Sequence, residues 1–222
     1  MATRFERQLE ELHIQLITMG SLCEKVISLS ARAIQKEEAG IIQKTFETDQ
    51  KIDAKEREIE GICMRLLLHQ QPVAGDLRQI SAALKMVSDM ERIGDQAADI
   101  ADLSQFINKS AVGDPVNIGR MAEKTVTMVT ESIDAFVKND LALCRKVIDD
   151  DDFVDAAFNE IKEDLAKGII KQKIDAKTGL DILMAAKYFE RIGDHAVNIA
   201  EWVEYSITGC HRSNEHQSYS GV

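Results

Sequence analysis

Apolar and polar positions recur at steps of three and four along most of the chain. In the first stretch Leu9, Leu12, Leu16, Met19, Cys23, Val26 and Ser30 form such a line, the pattern of a helix packed in a bundle seam. It predicts a helix over Arg4 to Gln35. A second helix, over Gly40 to His69, turns Ile42, Phe46, Ile52, Ile59, Cys63 and Leu66 inward. Gln71-Pro72 marks a break, and Pro72 suits the first position of a third helix. There Leu77, Ile80, Leu84, Val87, Glu91, Gly94, Ala98 and Ala101 keep the register. Glu91 thus takes a place that the pattern reserves for an apolar residue, and a carboxylate at the edge of a core needs a partner or an altered pKa. Gly94 is equally out of place, since glycine inside a helix costs about 1 kcal/mol against alanine. Close approach of a neighbouring helix, or of a ligand held by the acids, would explain it.

Asn108 to Pro115, with Gly113-Asp114-Pro115, reads as a linker. The pattern then starts again. A fourth helix carries Ile118, Met121, Thr125, Met128, Ser132 and Ala135, and Asn139-Asp140 makes a turn. A fifth carries Ile148, Val154, Phe158, Ile161, Leu165 and Ile169. The sixth carries Leu183, Ala186, Glu190, Gly193, Val197 and Ala200, again with a glutamate on the stripe, and ends near Gly209.

The two series are copies of one unit. Glu91-Arg92-Ile93-Gly94-Asp95 recurs as Glu190-Arg191-Ile192-Gly193-Asp194, ninety-nine residues later, and Ala97, Ile100 and Ala101 find their counterparts in Ala196, Ile199 and Ala200. Upstream, Asp49-x-x-x-Asp53 aligns with Asp151-x-x-x-Asp155 at an offset of 102. The expected fold is all-α, with six helices in two repeated antiparallel three-helix bundles, residues 1–112 and 113–209, followed by a flexible tail, 210–222. A pseudo-twofold axis or a simple translation could relate the bundles.

Composition supports helices: the 222 residues include two prolines and 5% aromatics. The formal charge of −11 excludes nucleic acid as a natural partner and favours cations or basic protein surfaces. No apolar run approaches the roughly 18 to 20 residues that span a bilayer, so no membrane insertion is expected, and Met1 to Glu10 does not resemble a signal peptide. Cys23, Cys63, Cys144 and Cys210 are scattered, and the first three fall on apolar stripes as buried thiols. A cytoplasmic location is the default.

Four carboxylates in each half are the candidate chemistry. Residues four apart on a helix share a face, which pairs Asp49 with Asp53 and Glu91 with Asp95, then Asp151 with Asp155 and Glu190 with Asp194. Asp49, Asp53, Glu56 and Glu60 also form a single acidic line beside the apolar stripe of the second helix. A cation would relieve their repulsion. Salt bridges to Arg92, Arg191 or lysines would account for the same acids without a metal, as would an acidic surface for docking a protein. The competing class is a di-iron enzyme, which would need Glu-x-x-His on two helices. Glu10 with His13 is the lone such pair, and His13 reads as a surface histidine.

The E-R-I-G-D-x-A-x-[DN]-I-A-[DE] pattern in both halves, the upstream Asp-x-x-x-Asp, and Gln71-Pro72-Val73-Ala74-Gly75-Asp76-Leu77-Arg78 together resemble the PhoU family of phosphate-transport regulators. The resemblance spans roughly Arg4 to Ile207. It implies a cytoplasmic, homodimeric, non-enzymatic protein that negatively regulates phosphate uptake and the starvation response. Its implied partners are the ATPase subunit of the phosphate ABC transporter and a phosphate-responsive sensor histidine kinase. It also implies metal ions, whether iron, zinc, manganese or magnesium, held by Asp49, Asp53, Glu91 and Asp95 in one half and by Asp151, Asp155, Glu190 and Asp194 in the other. The oxygen-only ligand set suits magnesium, calcium, manganese or iron better than structural zinc. Asn198 stands where the first half has Asp99, leaving the second site one charge poorer, whereas Asp149, Asp150 and Asp152 make the fifth helix more negative. Asp149 and Asp150 are expected at a helix start, where acids are favourable.

Overall fold

The computed structural model describes residues 4–35, 38–69, 73–107 and 118–210. It contains six helices: α1 (Arg4–Gln35), α2 (Ile41–His69), α3 (Ala74–Leu103), α4 (Ile118–Lys138), α5 (Leu141–Ile170) and α6 (Ala176–Thr208). The linker over 108–115 and the tail beyond Cys210 lie outside the described residues, as does Pro72. Helix α3 itself begins two residues after that proline, with Val73 as its extended N-cap.

The ends of the other helices follow local chemistry. Asp140 caps α5, its Oδ1 accepting from the N–H groups of Ala142 and Leu143 at 2.9 and 3.0 Å, which satisfies two of the amides a helix start leaves open. Asp175 does the same for α6 through the N–H of Thr178. Gly209 closes α6 at φ +75°, and its N–H donates to the Tyr205 carbonyl at 2.8 Å. A side chain at that φ would be strained. Because α5 starts at Leu141, Asp149 and Asp150 sit well inside the helix. They are not at a helix start, and the dipole argument for them fails.

Packing joins each helix to specific neighbours. Helices α1, α2 and α3 pack together as one bundle and α4, α5 and α6 as the other. The bundles meet through α3 against α6 and α1 against α4. Equivalent elements therefore face each other, the arrangement of a pseudo-twofold axis and not of a translation. Paired contacts obey it: Asn198 donates to Asp89 at 3.2 Å, and Tyr188 hydrogen-bonds Asp99. Exchanging the repeats converts one pair into the other.

One hydrophobic core runs through all six helices, from Leu12 and Leu16 through Ile52, Met86 and Met90 to Phe136, Ile161 and Phe189. Cys23, Cys63 and Cys144 are buried free thiols within it and Cys210 is exposed. At the α1–α4 seam a Cβ on Gly20 would collide with Ile133. His13 lies at the same seam, half-buried with its ring edge against Phe136 at 5.3 Å between centroids. It is a packing residue and not the surface histidine expected, and burial lowers its pKa.

On α3 and α6 the centre of the buried stripe runs one position aside from the sequence pattern. Met90, Ile93 and Ala97, like Phe189, Ile192 and Ala196, are fully buried, whereas Leu77 is 48% exposed and Leu84 half-buried. Glu91 and Glu190 consequently lie at the rim of the core, where α2 and α5 come alongside.

Candidate functional site: two carboxylate grooves

Helix α2 lies along α1 and α3, and α5 along α4 and α6. The grooves between α2 and α3, and between α5 and α6, collect the repeated acids. In the first, Asp49 feels Asp53, Asp95, Glu91 and Asp99, in that order of strength, and in the second Asp151 feels Asp194, Asp155, Glu190 and Asp152. The structure thus brings together all four sequence-predicted acids of each half.

Glycine makes the grooves tight. A Cβ on Gly94 would stand 2.6 Å from Asp49 Oδ1 and 3.2 Å from Ile52 Cδ1. On Gly193 it would stand 3.0 Å from Asp151 Oδ1 and 3.3 Å from Val154 Cγ1. The repeated glycine therefore lets a specific aspartate of the neighbouring helix lie against the backbone, so that helix packing and carboxylate placement are one requirement. Asp49 Oδ1 and Asp151 Oδ1 are buried and lack a hydrogen-bond partner among the described residues.

Burial first, and then the neighbouring carboxylates, push both Asp49 and Asp151 up to about 6. The same causes raise Glu91, where Asp95 is the leading neighbour, and Asp95, where Asp53 is. Glu56, one turn beyond Asp53, is raised by burial and then by Glu91, and belongs to the first groove although only its acidic line was noticed in the sequence. Asp194 is raised by burial and by Glu190, against the opposing effect of Lys187.

The salt bridges expected from arginine are weak. Arg92 Nε stands 3.8 Å from Glu91 with its side chain 61% exposed, a geometry contributing about 0 to 1 kcal/mol. The lysine expected among the partners is found in the second groove, where Lys187 Nζ bonds both carboxylate oxygens of Glu190, although the sequence reading singled out no particular lysine. An i, i+3 lysine ahead of the motif was the available signal. Asp150 adds little free charge, because Lys124 at 2.7 Å and Lys146 at 3.3 Å bind it. Although burial pushes its carboxyl up, those hydrogen bonds outweigh burial and hold it below the usual range.

On the seam between the grooves, His195 Nδ1 lies 2.9 Å from Asp89 Oδ1. Sequence spacing pointed to no role for it, because Asp89 is distant in the chain.

Among the described residues, no group of three or more His, Cys, Asp or Glu side chains is placed so that it could hold a metal ion. No helix is long and apolar enough among the described residues to cross a membrane.

These features define a class: a duplicated six-helix protein with an acidic groove in each repeat. Residues 16–104 and 118–203 each match the PhoU domain, and the chain belongs to the PhoU family. It is 38% identical over 207 residues to a phosphate-specific transport system accessory protein PhoU homolog of Clostridium acetobutylicum, covering 92% of this chain and 94% of that protein. The corresponding homolog of Pseudomonas aeruginosa is 33% identical over 213 residues, covering 94% of this chain and 87% of that one. The crystal structure of PhoU from Pseudomonas aeruginosa superposes with a TM-score of 0.86 at 33% identity, covering 93% of this chain and all of that one. PhoU from Streptococcus pneumoniae has the same fold, with a TM-score of 0.86 at 23% identity over 94% of this chain and 99% of that one. The relatives' names are those of accessory proteins and not of enzymes.

Proposed function

We propose that this protein is a regulatory accessory component of a phosphate-specific transport system. The observation that carries the reading is full-length relatedness, at 38% identity, to a protein so named, with both repeats in register. In this reading it acts in the cytoplasm by docking against the ATPase subunit of the transporter and a sensor histidine kinase, restraining uptake and the starvation response when phosphate is plentiful. It works as a homodimer. Its contribution is recognition, and the signal passes through a shift between bound states.

The groove carboxylates hold divalent cations in the same reading. Asp49, Asp53, Glu91 and Asp95 are the donors of the first groove, and Asp151, Asp155, Glu190 and Asp194 those of the second. A bound cation supplies positive charge that offsets the mutual repulsion of the acids and locks α2 to α3, or α5 to α6. The unpartnered oxygens of Asp49 and Asp151 support this. An acidic docking surface that uses no metal is the second reading, favoured because no group of three or more His, Cys, Asp or Glu side chains among the described residues is placed to hold a metal ion.

Deletion of the gene in its host, with phosphate uptake measured in phosphate-rich medium, tests the regulatory role. Uptake should stay high in the deletion strain and fall again on complementation. Unchanged uptake in the deletion strain would remove the protein from phosphate control. Complementation with Glu91→Ala/Asp95→Ala then separates the two readings of the grooves when paired with elemental analysis of the purified variant.

A further inference from the structure

Apart from the grooves, α1 and α4 form a seam whose two ends differ. At one end Ile133 of α4 fills the space over Gly20 of α1. Exchange of the repeats, at the offset of 102, turns that pair into Ala31 and Ala122. The alanines are too short to fill the equivalent space, and a cavity of about 410 Å³ opens there, lined by Ala31, Ala122 and Val126, with Glu123 among the polar side chains around it. Two heptads back along the same face of α1, Ile14 and Ile17 stand exposed, at 54% and 45%. Between these isoleucines and the cavity, the exposed positions of α1 are Thr18, Ser21, Lys25 and Ser28, a single charge in a chain with 29% charged residues. The three hydroxyls donate to carbonyls of their own helix, those of Ile14 at 2.8 Å, Ile17 at 3.3 Å and Glu24 at 2.9 Å. Covering them therefore leaves no donor unsatisfied.

We propose that two copies of this chain meet on the α1–α4 face, Ile14 and Ile17 of each entering the cavity of the other. This rests on the reading of the protein as a homodimer and names the surface that such a dimer uses. A knob and a hole set apart along one face are self-complementary under a twofold axis. Here the axis lies in the interface and crosses α1 near the level of Cys23, midway between knob and hole, which stand about 21 Å apart at the helical rise. Helix α1 then lies antiparallel to the same helix of the other copy, with the small Ser21 near the crossing. The end of α4 lies beside the start of α1, as the contact of Phe136 with His13 shows. The axis consequently brings Lys138, 60% exposed, to within about one residue's rise of the level of Glu123 in the other copy, and opposite charges meet at the rim of each cavity. A face two helices wide along the 21 residues of α4 offers on the order of 600 Å² per copy, the low end for a stable interface. The dimer is therefore a reversible one.

The test is sedimentation equilibrium of the full-length chain over a range of concentrations. Wild type should show a reversible monomer–dimer equilibrium. Ile17→Lys should weaken association by about tenfold or more, the effect of losing a buried anchor. Ala31→Ile/Ala122→Gly copies the Ile133–Gly20 end of the seam, closes the cavity from within, and should weaken association as much. Circular dichroism should show both variants as helical as wild type, which separates loss of the interface from loss of the fold. Glu123→Lys and Lys138→Glu should each weaken the dimer a few-fold, and the two together should restore it, an outcome that a merely structural role would not give. A dimer that Ile17→Lys and the closed-seam variant leave intact, or charge reversals whose combination restores nothing, would overturn this surface while leaving the homodimer standing. A wild-type chain that stays monomeric at every concentration would overturn the homodimer reading itself, and this surface with it.

Discussion

Asp49 and Asp151 occupy equivalent places, lie over equivalent glycines, and carry equally displaced pKa values of about 6. Their neighbours are not equivalent. The first groove adds Glu56, with Arg57 beside it, and Asp99 to the shared acids, and the second has Phe158 and Asn198 in place of those two acids and brings in Lys187 and Asp152. Duplication has kept the part of the site that helix packing requires and has changed the part that only charge requires. A side chain in place of a glycine under a carboxylate presses on that carboxylate and on the neighbouring helix's apolar residue, whereas a rim side chain meets no such limit.

Large effects should come from the shared core. Phe189 and Met90 are counterparts, both fully buried. Phe189→Ala should cost about 3–5 kcal/mol and Met90→Ala about 2–5 kcal/mol in urea unfolding. Because one core joins the bundles, each variant should unfold in a single transition; separate transitions for the two repeats would show that they are energetically independent.

The glycines discriminate between the grooves next. Gly94→Ala presses on Asp49 at 2.6 Å and Ile52 at 3.2 Å, and should destabilise by about 1–3 kcal/mol. Gly193→Ala meets its neighbours at 3.0 and 3.3 Å, and its gain in helix propensity of about 1 kcal/mol should offset most of the strain. Equal losses from the two would deny that the first groove is the tighter.

In chelator, pH should act alike on both grooves. A carboxyl raised to about 6 in the folded state binds its proton more tightly there than in the unfolded chain. Its stabilising contribution is complete below the ordinary carboxylate value of about 4 and is lost as pH rises through about 6. Asp49→Asn and Asp151→Asn should therefore each raise Tm at pH 7.5, with the gain vanishing near pH 4. A gain that grows on acidification would contradict the raised values. Saturating Mn²⁺ should reverse the sign of the Asp49→Asn effect at pH 7.5, because the cation rewards the charged form.

Smallest of all should be Lys187→Gln without metal. Its ion pair with Glu190 has a lysine 44% exposed, and the expected loss is about 0–1 kcal/mol. A much larger loss would mean that the lysine is structural and not merely a counter-ion.

Much of this molecule was legible before folding. Steps of three and four located every helix, and α1 runs over the residues its stripe predicts. The five-residue identity between the halves located both pairs of groove acids, because a repeat fixes registers that a single helix leaves open. Glu91 on an apolar stripe foretold a perturbed carboxyl, and the structure raises it. Asn139-Asp140 announced the turn between α4 and α5, and Gly209 the end of α6, through side-chain and backbone chemistry that acts within a few residues.

Other features depend on residues far apart in the chain. No pattern along one helix tells which helix it will meet, so the choice between translation and pseudo-twofold waited for α3 to pack on α6 and α1 on α4. His13 was placed against Phe136 by that same meeting. The sequence by itself determined where helices form and that their acids come in matched sets, since both follow from periodicity and local bonding. Tertiary structure alone decided that Gly94 receives Asp49, that His195 joins Asp89 on the seam, and that Phe158 and Glu190 hold Lys187. Electrostatic and packing energies depend on distance in space, and that distance exists only once the helices are side by side.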